Sequence, residues 1–113
     1  MAECLFCKIV SGELPCRKVY EDDNVLGFED INPVAPLHYL FIPKIHVENF
    51  YDASKQKGLM ESIFSGLANY LDEIGRSHEH FRIVSNKGSD AGQSVFHFHI
   101  HLIGKRLLQW PPG

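Results

Sequence analysis

The sequence lacks long apolar runs, an even set of cysteines and an excess of basic charge, and each absence excludes a class of protein. No stretch approaches the roughly 20 apolar residues that a membrane-spanning helix needs, so we expect no membrane association. Three cysteines cannot all pair within one chain, which disfavours a secreted disulfide scaffold. A formal net charge of -3 disfavours nucleic acid as a partner, because phosphate backbones are bound by basic surfaces.

What the chain does have is the composition of an ordinary globular protein. Of its 113 residues, 44% are hydrophobic and 22% are charged. A chain of this length fits one domain over residues 1–113 and buries roughly two thirds of its unfolded surface without needing disulfides. The start, from Met1 to Cys4, does not have the layout of a signal peptide. We therefore expect a single domain with a cytoplasmic location.

Local patterns predict an α+β fold. Runs of β-branched and aromatic residues between turn residues indicate strands at residues 17–21, 25–29, 38–43, 81–85 and 95–103. A short N-terminal helix is predicted within residues 4–14. Because the pattern contains no strand–helix–strand alternation, we expect a mainly antiparallel sheet of about five strands.

One long helix is predicted in the middle of the chain, because apolar residues recur there at intervals of three and four. Its expected N-terminal cap is Asp52 or Ser54, and Gly75 should end it. His78 and His80 follow in a polar link and should be exposed to solvent. The expected buried face consists of Leu59, Met60, Ile63, Phe64, Leu67, Ala68, Leu71 and Ile74.

Histidine is the unusual feature of the composition. Seven are present, and His97, His99 and His101 alternate with apolar residues in the last predicted strand. Alternate residues of a strand point to the same face, so the three imidazoles should lie together while Phe98 and its apolar neighbours pack against the helix. Two simpler interpretations stay open at this point, a polar face on an edge strand and a metal-binding pair of histidines.

These histidines and their surroundings resemble the histidine triad (HIT) family, over nearly the whole chain. The likeness is strongest to the Hint branch and, through two cysteines, to zinc-binding bacterial-type members. It implies a HIT-like fold that forms homodimers, with the Trp110 segment of one protomer near the site of the other. The matching segments are Phe28-Glu29-Asp30-Ile31-Asn32-Pro33, Ala35-Pro36-Leu37-His38, Ile42-Pro43-Lys44, His46, residues 86–95, His97-Phe98-His99-Ile100-His101-Leu102-Ile103 and Gln109-Trp110-Pro111-Pro112-Gly113.

The resemblance implies that His99 attacks the α-phosphorus of a nucleotide derivative. A neutral imidazole has a free nitrogen lone pair at physiological pH, and the covalent nucleotidyl-histidine would be cleaved by water in a second step. By the same resemblance, His101 contacts the phosphate, His38 orients the histidines, and Ser94 approaches the leaving group or the phosphate. From the residues alone, Ser94 is equally well a turn hydroxyl bonded to its own backbone.

The remaining contacts with a purine nucleotide such as AMP are also implied by the resemblance. Asp30 would accept hydrogen bonds from both ribose hydroxyls, although a carboxylate here also suits a turn at the end of a hairpin. Apolar residues would surround the base, although each alone is equally well ordinary core. Glycines near the phosphate also suit turns with positive φ. The implied base contacts are Leu5, Phe6, Phe28 and Ile31, and the implied phosphate contacts are Asn86, Gly92 and Gln93.

Cys4 and Cys7 have the spacing of zinc ligands, but a lone C-x-x-C supplies only two of the four that a structural site requires. Unrelated buried cysteines are the simpler alternative, and a redox motif is disfavoured because no βα unit precedes the pair. The resemblance to bacterial-type members implies that His46 and His97 complete the set. Such a site is closed to water, so the zinc would be structural and His97 a ligand rather than a proton carrier.

Together these observations predict a Hint-like purine nucleoside phosphoramidase, a hydrolase that splits the P–N bond of adenosine 5′-phosphoramidate or related AMP conjugates without a catalytic metal. Three alternatives remain. A dinucleoside polyphosphate hydrolase or nucleotidyl transferase would keep the His99 chemistry, a zinc-centred hydrolase would not need it, and a nucleotide-binding regulatory module would show no turnover. The ending Trp110-Pro111-Pro112-Gly113 favours the phosphoramidase.

Overall fold

Residues 4–113 are described by the structure, a computed structural model of the chain. Residues 1–3, on which the expected location partly depends, lie outside the described residues. Within residues 4–113, no helix is long and apolar enough to cross a lipid bilayer. The elements are α1 (Leu5–Ser11), β1 (Lys18–Glu21), β2 (Val25–Glu29), β3 (Leu37–Pro43), α2 (Phe50–Ser54), α3 (Leu59–Glu73), β4 (Phe81–Val84), a 3-10 turn (Ser89–Ala91) and β5 (Ile100–Gly104).

The five strands form one sheet in the order β1-β2-β3-β5-β4, and every neighbouring pair is antiparallel. The hairpin of β1 and β2 is extended by β3, and β5 then lies between β3 and β4. The last strand of the chain is therefore internal, while β1 and β4 are the edges. The predicted α+β fold, with five antiparallel strands, a long helix and a short N-terminal helix, is confirmed.

Helices cover both faces of the sheet, and the alternation of side chains decides what each face buries. α3 packs Ile63 and Leu67 against one face, where Phe41 is fully buried. α1 covers the other face with Phe6. His38 and His101 alternate with the residues that face α3 and so lie on the α1 side. The apolar cluster under α1 consists of Phe6, Leu26, Phe28, Leu40 and Ile42.

The start of the long helix differs from its prediction. Asp52 and Ser54 belong to the separate helix α2, which is capped by the side chain of Asn49. α3 begins only after Gly58, whose φ of +79° is in the left-handed region and interrupts the helical path. Gly75, with a φ of +69°, follows the helix where its end was predicted.

The buried face of α3 is narrower than predicted. Ile63, Leu67 and Tyr70 are spaced by four and three residues and face the sheet. Phe64 is 45% exposed, because it lies about 100° around the helix from Ile63. Ala68 and Ile74 are exposed as well.

β5 is shorter than predicted, and this difference bears on the histidines. The strand covers Ile100–Gly104, so residues 95–99 precede it. There the N–H of Phe98 donates to the carbonyl of Val47 at 2.6 Å. His97 and His99 are consequently held by loop contacts, whereas His101 belongs to the ladder.

Candidate active site

The three alternating histidines lie on the α1 side of the sheet, as their spacing predicts. The ring centroids of His99 and His101 are 5.1 Å apart. Phe6 of α1 contacts both His97 and His99 edge-on, with centroid separations of 5.9 and 5.2 Å. His97 and His99 are buried and His101 is half-buried. The interpretation of the motif as a solvent-facing polar strand edge is therefore wrong, because α1 covers it.

His99 is held in one tautomer by its backbone neighbour. Its Nδ1 donates a hydrogen bond to the carbonyl of His97 at 2.7 Å, so in the neutral ring Nε2 carries the lone pair. Nε2 has no hydrogen-bond partner among residues 4–113, and no buried side-chain nitrogen or oxygen in that range lacks a partner. Nε2 is therefore accessible to solvent, which a nucleophile requires.

His38 and His101 form a second chain of hydrogen bonds whose direction can be assigned. The N–H of Val34 donates to Nδ1 of His38 at 3.1 Å, which places the proton of the neutral His38 ring on Nε2. That Nε2–H donates to Nδ1 of His101 at 2.9 Å. The proton of neutral His101 is therefore on its own Nε2. This arrangement gives the site one imidazole with a free lone pair, His99, and one with a free N–H, His101.

The surroundings favour neutral imidazoles. Burial lowers the pKa of His101 to about 4, and the neighbouring rings of His99 and His38 act in the same direction. Burial also lowers the pKa of His99 and of His38, although Asp30 opposes the shift in both. At neutral pH these rings therefore carry no charge, and the lone pair of His99 is available.

The low pKa of His101 predicts a pH-dependent stability. Its pKa in the unfolded chain is about 6.5, so between pH 6.5 and 4 the unfolded state binds the proton more tightly and stability is lost as the pH falls. We expect His101 alone to reduce the free energy of unfolding by about 3 kcal/mol across this window. Chemical denaturation at pH 7 and pH 4 measures it. The matched variant His101→Gln should lose this part of the slope, and an identical slope in both proteins would contradict the assignment.

The implied base contacts separate into two groups. Phe6 and Phe28 are buried and pack edge-to-face with centroids 5.6 Å apart, close to His99. Leu5 is 46% exposed and Ile31 is 91% exposed. Leu5 neighbours Phe6 in the chain, and Ile31 neighbours Asp30. The first pair therefore packs beside the histidines, whereas the side chains of the second pair are exposed and their contact with a base stays a prediction.

Asp30 connects this wall to the histidines. One carboxylate oxygen, Oδ2, lies 3.2 Å from Nε2 of His38. The other, Oδ1, accepts a hydrogen bond from the N–H of Asn32 at 2.8 Å. The turn role that the sequence left open is thus real, and it leaves each oxygen with a further lone pair for a ligand hydroxyl.

The loop between β4 and β5 closes on itself. Gly92 has a φ of +97°, and a Cβ there would lie 3.6 Å from Nδ2 of Asn86, so the two ends of the loop are close together. Ser94 is exposed and makes no side-chain hydrogen bond among the described residues. Its hydroxyl is available, and the alternative of a hydroxyl bonded to its own turn is not observed.

Gln93 is buried, and its side chain is committed to the protein backbone. Its amide Nε2 donates to the carbonyls of Glu48 and Val95 at 2.6 and 3.1 Å, and Oε1 accepts from the N–H of Gly88 at 2.8 Å. Both side-chain hydrogens are used, so this amide cannot donate to a ligand. The backbone N–H of Gln93 also donates to the carbonyl of Gly88 at 3.0 Å, and the N–H of Gly92 donates to the carbonyl of Ser89 at 3.0 Å. Both residues therefore hold the loop together, and their N–H groups are not free for the phosphate contacts expected of them.

A second cluster brings together the four residues expected to bind zinc. The ligating atoms of Cys4, Cys7, His46 and His97 all lie within 4.8 Å of one another. Nε2 of His97 donates to the carbonyl of Pro43 at 2.8 Å, which leaves the Nδ1 lone pair directed at the cluster. Metal-binding histidines are commonly fixed in this way by a bond from the second ring nitrogen.

The spacing of these atoms fits a tetrahedral ion. Around zinc, with bonds of about 2.0 to 2.3 Å, ligand atoms lie about 3.3 to 3.8 Å apart. Nδ1 of His97 is 3.4 Å from Sγ of Cys4, 3.6 Å from Sγ of Cys7 and 3.3 Å from Nδ1 of His46. Sγ of Cys7 is 3.4 Å from Nδ1 of His46. The donor set and its geometry therefore suit a closed two-sulfur, two-nitrogen site.

Some contacts of this site come from residues that sequence reasoning did not single out. Backbone groups of Val34 and Pro43 orient His38 and His97. The hydroxyl of Ser85 donates to the carbonyl of His99 at 3.0 Å. Backbone groups leave no signal in a sequence, because every residue type has them. Ser85 is the last residue of a predicted strand, where a serine is typical of the turn that follows, so it gave no signal either.

The sheet with α1 across its histidine face and the paired imidazoles define a HIT-domain protein. A HIT domain is matched over residues 11–108, and the chain belongs to this family. A 14 kDa zinc-binding protein of Brassica juncea is 40% identical over 124 residues, which span 98% of this chain and all of the relative. Adenylylsulfatase HINT1 of Arabidopsis thaliana is 42% identical over 112 residues, or 96% of this chain and 76% of the relative.

Solved structures agree with this membership. The crystal structure of a HIT family hydrolase from Legionella pneumophila superimposes with a TM-score of 0.90 at 43% identity, covering 98% of this chain and all of that one. The chain is thus a member of a family that includes hydrolases, and the histidine triad resemblance of its sequence is confirmed.

Proposed function

We propose that this protein is a purine nucleoside phosphoramidase that hydrolyses the P–N bond of adenosine 5′-phosphoramidate or related AMP conjugates. One observation carries the proposal. Nε2 of His99 is solvent-accessible and is unprotonated in the tautomer set by the His97 carbonyl, and the ring of His101, which has a free N–H, lies 5.1 Å away between ring centroids. A nucleophile beside a donor for phosphoryl oxygens suits attack on phosphorus.

The reaction would proceed in two displacements. Nε2 of His99 gives its lone pair to the α-phosphorus, the P–N bond breaks, and its electron pair leaves with the amine nitrogen, which takes up a proton. Water then attacks the phosphorus of the nucleotidyl-histidine, the bond to His99 breaks, and AMP leaves while one proton returns to solvent. The His97 carbonyl, 2.7 Å from Nδ1, stabilises the positive charge that the ring gains.

Other residues would bind and orient the nucleotide. The N–H of His101 would donate to the phosphoryl oxygens, where charge spreads in the transition state. The N–H groups of Gly92 and Gln93 are bonded within their own loop, so these residues would shape the loop rather than donate to the phosphate. Ser94 would carry the proton to the leaving nitrogen, and Asn86 would support the loop beside it. Asp30 would accept the ribose hydroxyls. The base would lie between Phe6 and Phe28 on one side and Leu5 and Ile31 on the other.

A zinc ion held by Cys4, Cys7, His46 and His97 would be structural. The four side chains would occupy all four coordination positions of a tetrahedral zinc ion, so no position would be left for water or substrate. When bound, zinc would supply rigidity rather than reaction chemistry. It would join α1 to the segment that carries His97 and thereby fix Phe6 against His99.

A second class of substrate would also suit this site. One relative is named an adenylylsulfatase, and attack by His99 on the α-phosphorus of an AMP–sulfate anhydride would differ only in the leaving group. Sulfate leaves without a proton, so Ser94 would be less important for that substrate. We rank this activity second, because the exposed hydroxyl of Ser94 suits an amine that must be protonated.

We also propose that two copies associate through the edge strand β4 and the C-terminal segment. Ile83 in β4 is 46% exposed, and Leu107 and Trp110 are 88% and 80% exposed. Unpaired strand edges and exposed apolar side chains favour association. Sedimentation would show a dimer, and a monomer at all concentrations would rule this arrangement out.

The chain would act as a single domain in the cytoplasm.

A substrate series tests the proposed activity. Adenosine 5′-phosphoramidate, adenosine 5′-phosphosulfate and diadenosine tetraphosphate are compared at pH 7 by chromatographic measurement of AMP. We expect the phosphoramidate to have the highest kcat/KM. A higher value for the tetraphosphate would assign the protein to dinucleoside polyphosphate hydrolysis instead. AMP binding without turnover of any substrate would identify a regulatory nucleotide-binding module.

A further inference from the structure

Ser85 lies where β4 separates from β5. The pairing of the two strands ends at Val84 and His101. Beyond this pair the chain leaves the sheet and enters residues 86–94, the loop that carries Asn86 and Ser94. A ladder that ends here leaves the carbonyl of His99, just before β5, without a backbone donor from β4.

The hydroxyl of Ser85 provides that donor. Its Oγ donates to the carbonyl of His99 at 3.0 Å, and Ser85 itself is half-buried. His99 is therefore held at two points. Its ring bonds to the His97 carbonyl at 2.7 Å, which decides the tautomer, and its own carbonyl bonds to Ser85, which fixes the peptide plane from which the ring extends.

We infer that Ser85 is a positioning residue for the nucleophile, fixing the main chain of His99 so that Nε2 points at the α-phosphorus. The inference rests on the proposed function, because it assumes that His99 attacks. Among the described residues the Ser85 side chain makes this one hydrogen bond. It bonds to none of the groups proposed to hold the base, ribose or phosphate, so its effect should be on the chemical step rather than on binding.

The expected size follows from the geometry of attack. A misplacement of 1 Å in a reacting group costs roughly 100-fold in rate. Loss of one hydroxyl lets the peptide of His99 rotate while the bond to His97 keeps the tautomer, so the displacement should be a fraction of that. We expect Ser85→Ala to lower kcat for adenosine 5′-phosphoramidate about 10-fold with KM within about twofold. Ser85→Thr, which keeps the hydroxyl, should restore kcat to within about twofold of the wild type.

Ser62 offers a matched control. Its hydroxyl also donates to a backbone carbonyl, that of Gly58, at the same 3.0 Å, but at the start of α3 on the opposite face of the sheet. Ser62→Ala should leave kcat and KM unchanged. Wild-type kcat in Ser85→Ala, or a fall in kcat that is matched in Ser62→Ala, would overturn the inference.

A measurement without turnover separates this inference from the proposed function. The imidazole ¹H and ¹⁵N resonances of His99 report the position of its ring in the free protein. They should move in Ser85→Ala, return in Ser85→Thr, and stay unchanged in Ser62→Ala. If the wild type hydrolyses no adenosine substrate, the proposed function fails while these shifts still support the positioning role. Unchanged His99 resonances in Ser85→Ala would overturn that role even in an active enzyme.

Discussion

Replacing His99 with alanine should abolish turnover while the protein still folds and binds AMP. The mechanism needs the Nε2 lone pair in both displacements, and no other imidazole of the site can supply it. The Nε2 atom of His101 carries a proton because its Nδ1 accepts from His38, and Nδ1 of His97 faces the cysteine cluster. Loss of a nucleophile of this kind costs roughly 10⁴- to 10⁶-fold in kcat, so we expect no activity above background.

Two measurements and a control variant complete this test. Mass spectrometry of rapidly quenched wild type should show a nucleotidyl adduct on the peptide that contains His99. Calorimetry should show AMP binding to His99→Ala within about an order of magnitude of the wild type, because the other proposed contacts remain. His78→Ala is the matched control, since His78 is exposed and lies outside the site. Undiminished turnover in His99→Ala, or an adduct elsewhere, would refute the mechanism.

His101→Ala should behave differently from His99→Ala, and the contrast follows from the assigned protons. In the proposed mechanism His101 would donate to phosphoryl oxygens but form no bond to phosphorus, so its loss should slow the formation and breakdown of the adduct without preventing either. The difference between one free lone pair and one free N–H comes from two backbone groups, the His97 carbonyl and the Val34 N–H. The site thus distinguishes two like residues through their neighbours.

Much of the fold could be predicted from the sequence, because it depends on periodicity. The strands at 25–29 and 38–43 were recognisable from apolar and aromatic runs, and the observed β2 and β3 match them to within one residue. The start of the long helix could not be predicted, because a side-chain cap was expected at Asp52 or Ser54, whereas α3 begins after Gly58, which has a left-handed φ and no side chain with which to cap the helix. The short β5 could not be predicted either. Residues 97–102 alternate between histidine and apolar residues, but within residues 95–103 only those from Ile100 onward pair with neighbouring strands.

The residue types of the candidate site were also recognisable, but their bonding was not. The alternating histidines identify themselves by spacing. Nothing in the sequence shows that Gln93 turns its amide inward to three backbone groups, because a buried and an exposed glutamine look alike in a sequence. The N–H of Val34 sets the tautomer of His38. The carbonyls of Pro43 and His97 set the tautomers of His97 and His99 respectively. The positions of such backbone groups become visible only in three dimensions.

His97 belongs to both clusters of the molecule. Its ring directs Nδ1 at the cysteines, and its carbonyl holds Nδ1 of His99. Phe6 lies between Cys4 and Cys7 in the chain and packs on the rings of both histidines. An ion held by Cys4, Cys7 and His97 would therefore tie α1 and the backbone before His99 into one unit. The largest stability effect in this protein should accordingly come from the cysteine pair.

The double substitution Cys4→Ser with Cys7→Ser should remove the metal and destabilise the fold. A ligand that binds only the folded state at about 1,000 times its Kd stabilises it by about 4 kcal/mol. For a domain of this size we expect a loss of about 15 °C or more in Tm. Loss of a helix cap would not explain this. Sγ of Cys4 accepts from the N–H of Cys7 at 3.4 Å as the N-cap of α1, and serine is a good N-cap residue.

Elemental analysis of protein purified without a histidine tag provides the second readout. The wild type should contain about one equivalent of zinc and the double variant should contain almost none. Cys16→Ser is the matched control, because Cys16 is also a half-buried free cysteine but lies outside the four-residue cluster. It should keep both its zinc and its Tm. A folded wild type without zinc and with reduced cysteines would refute the metal centre, as would a double variant that keeps the wild-type Tm.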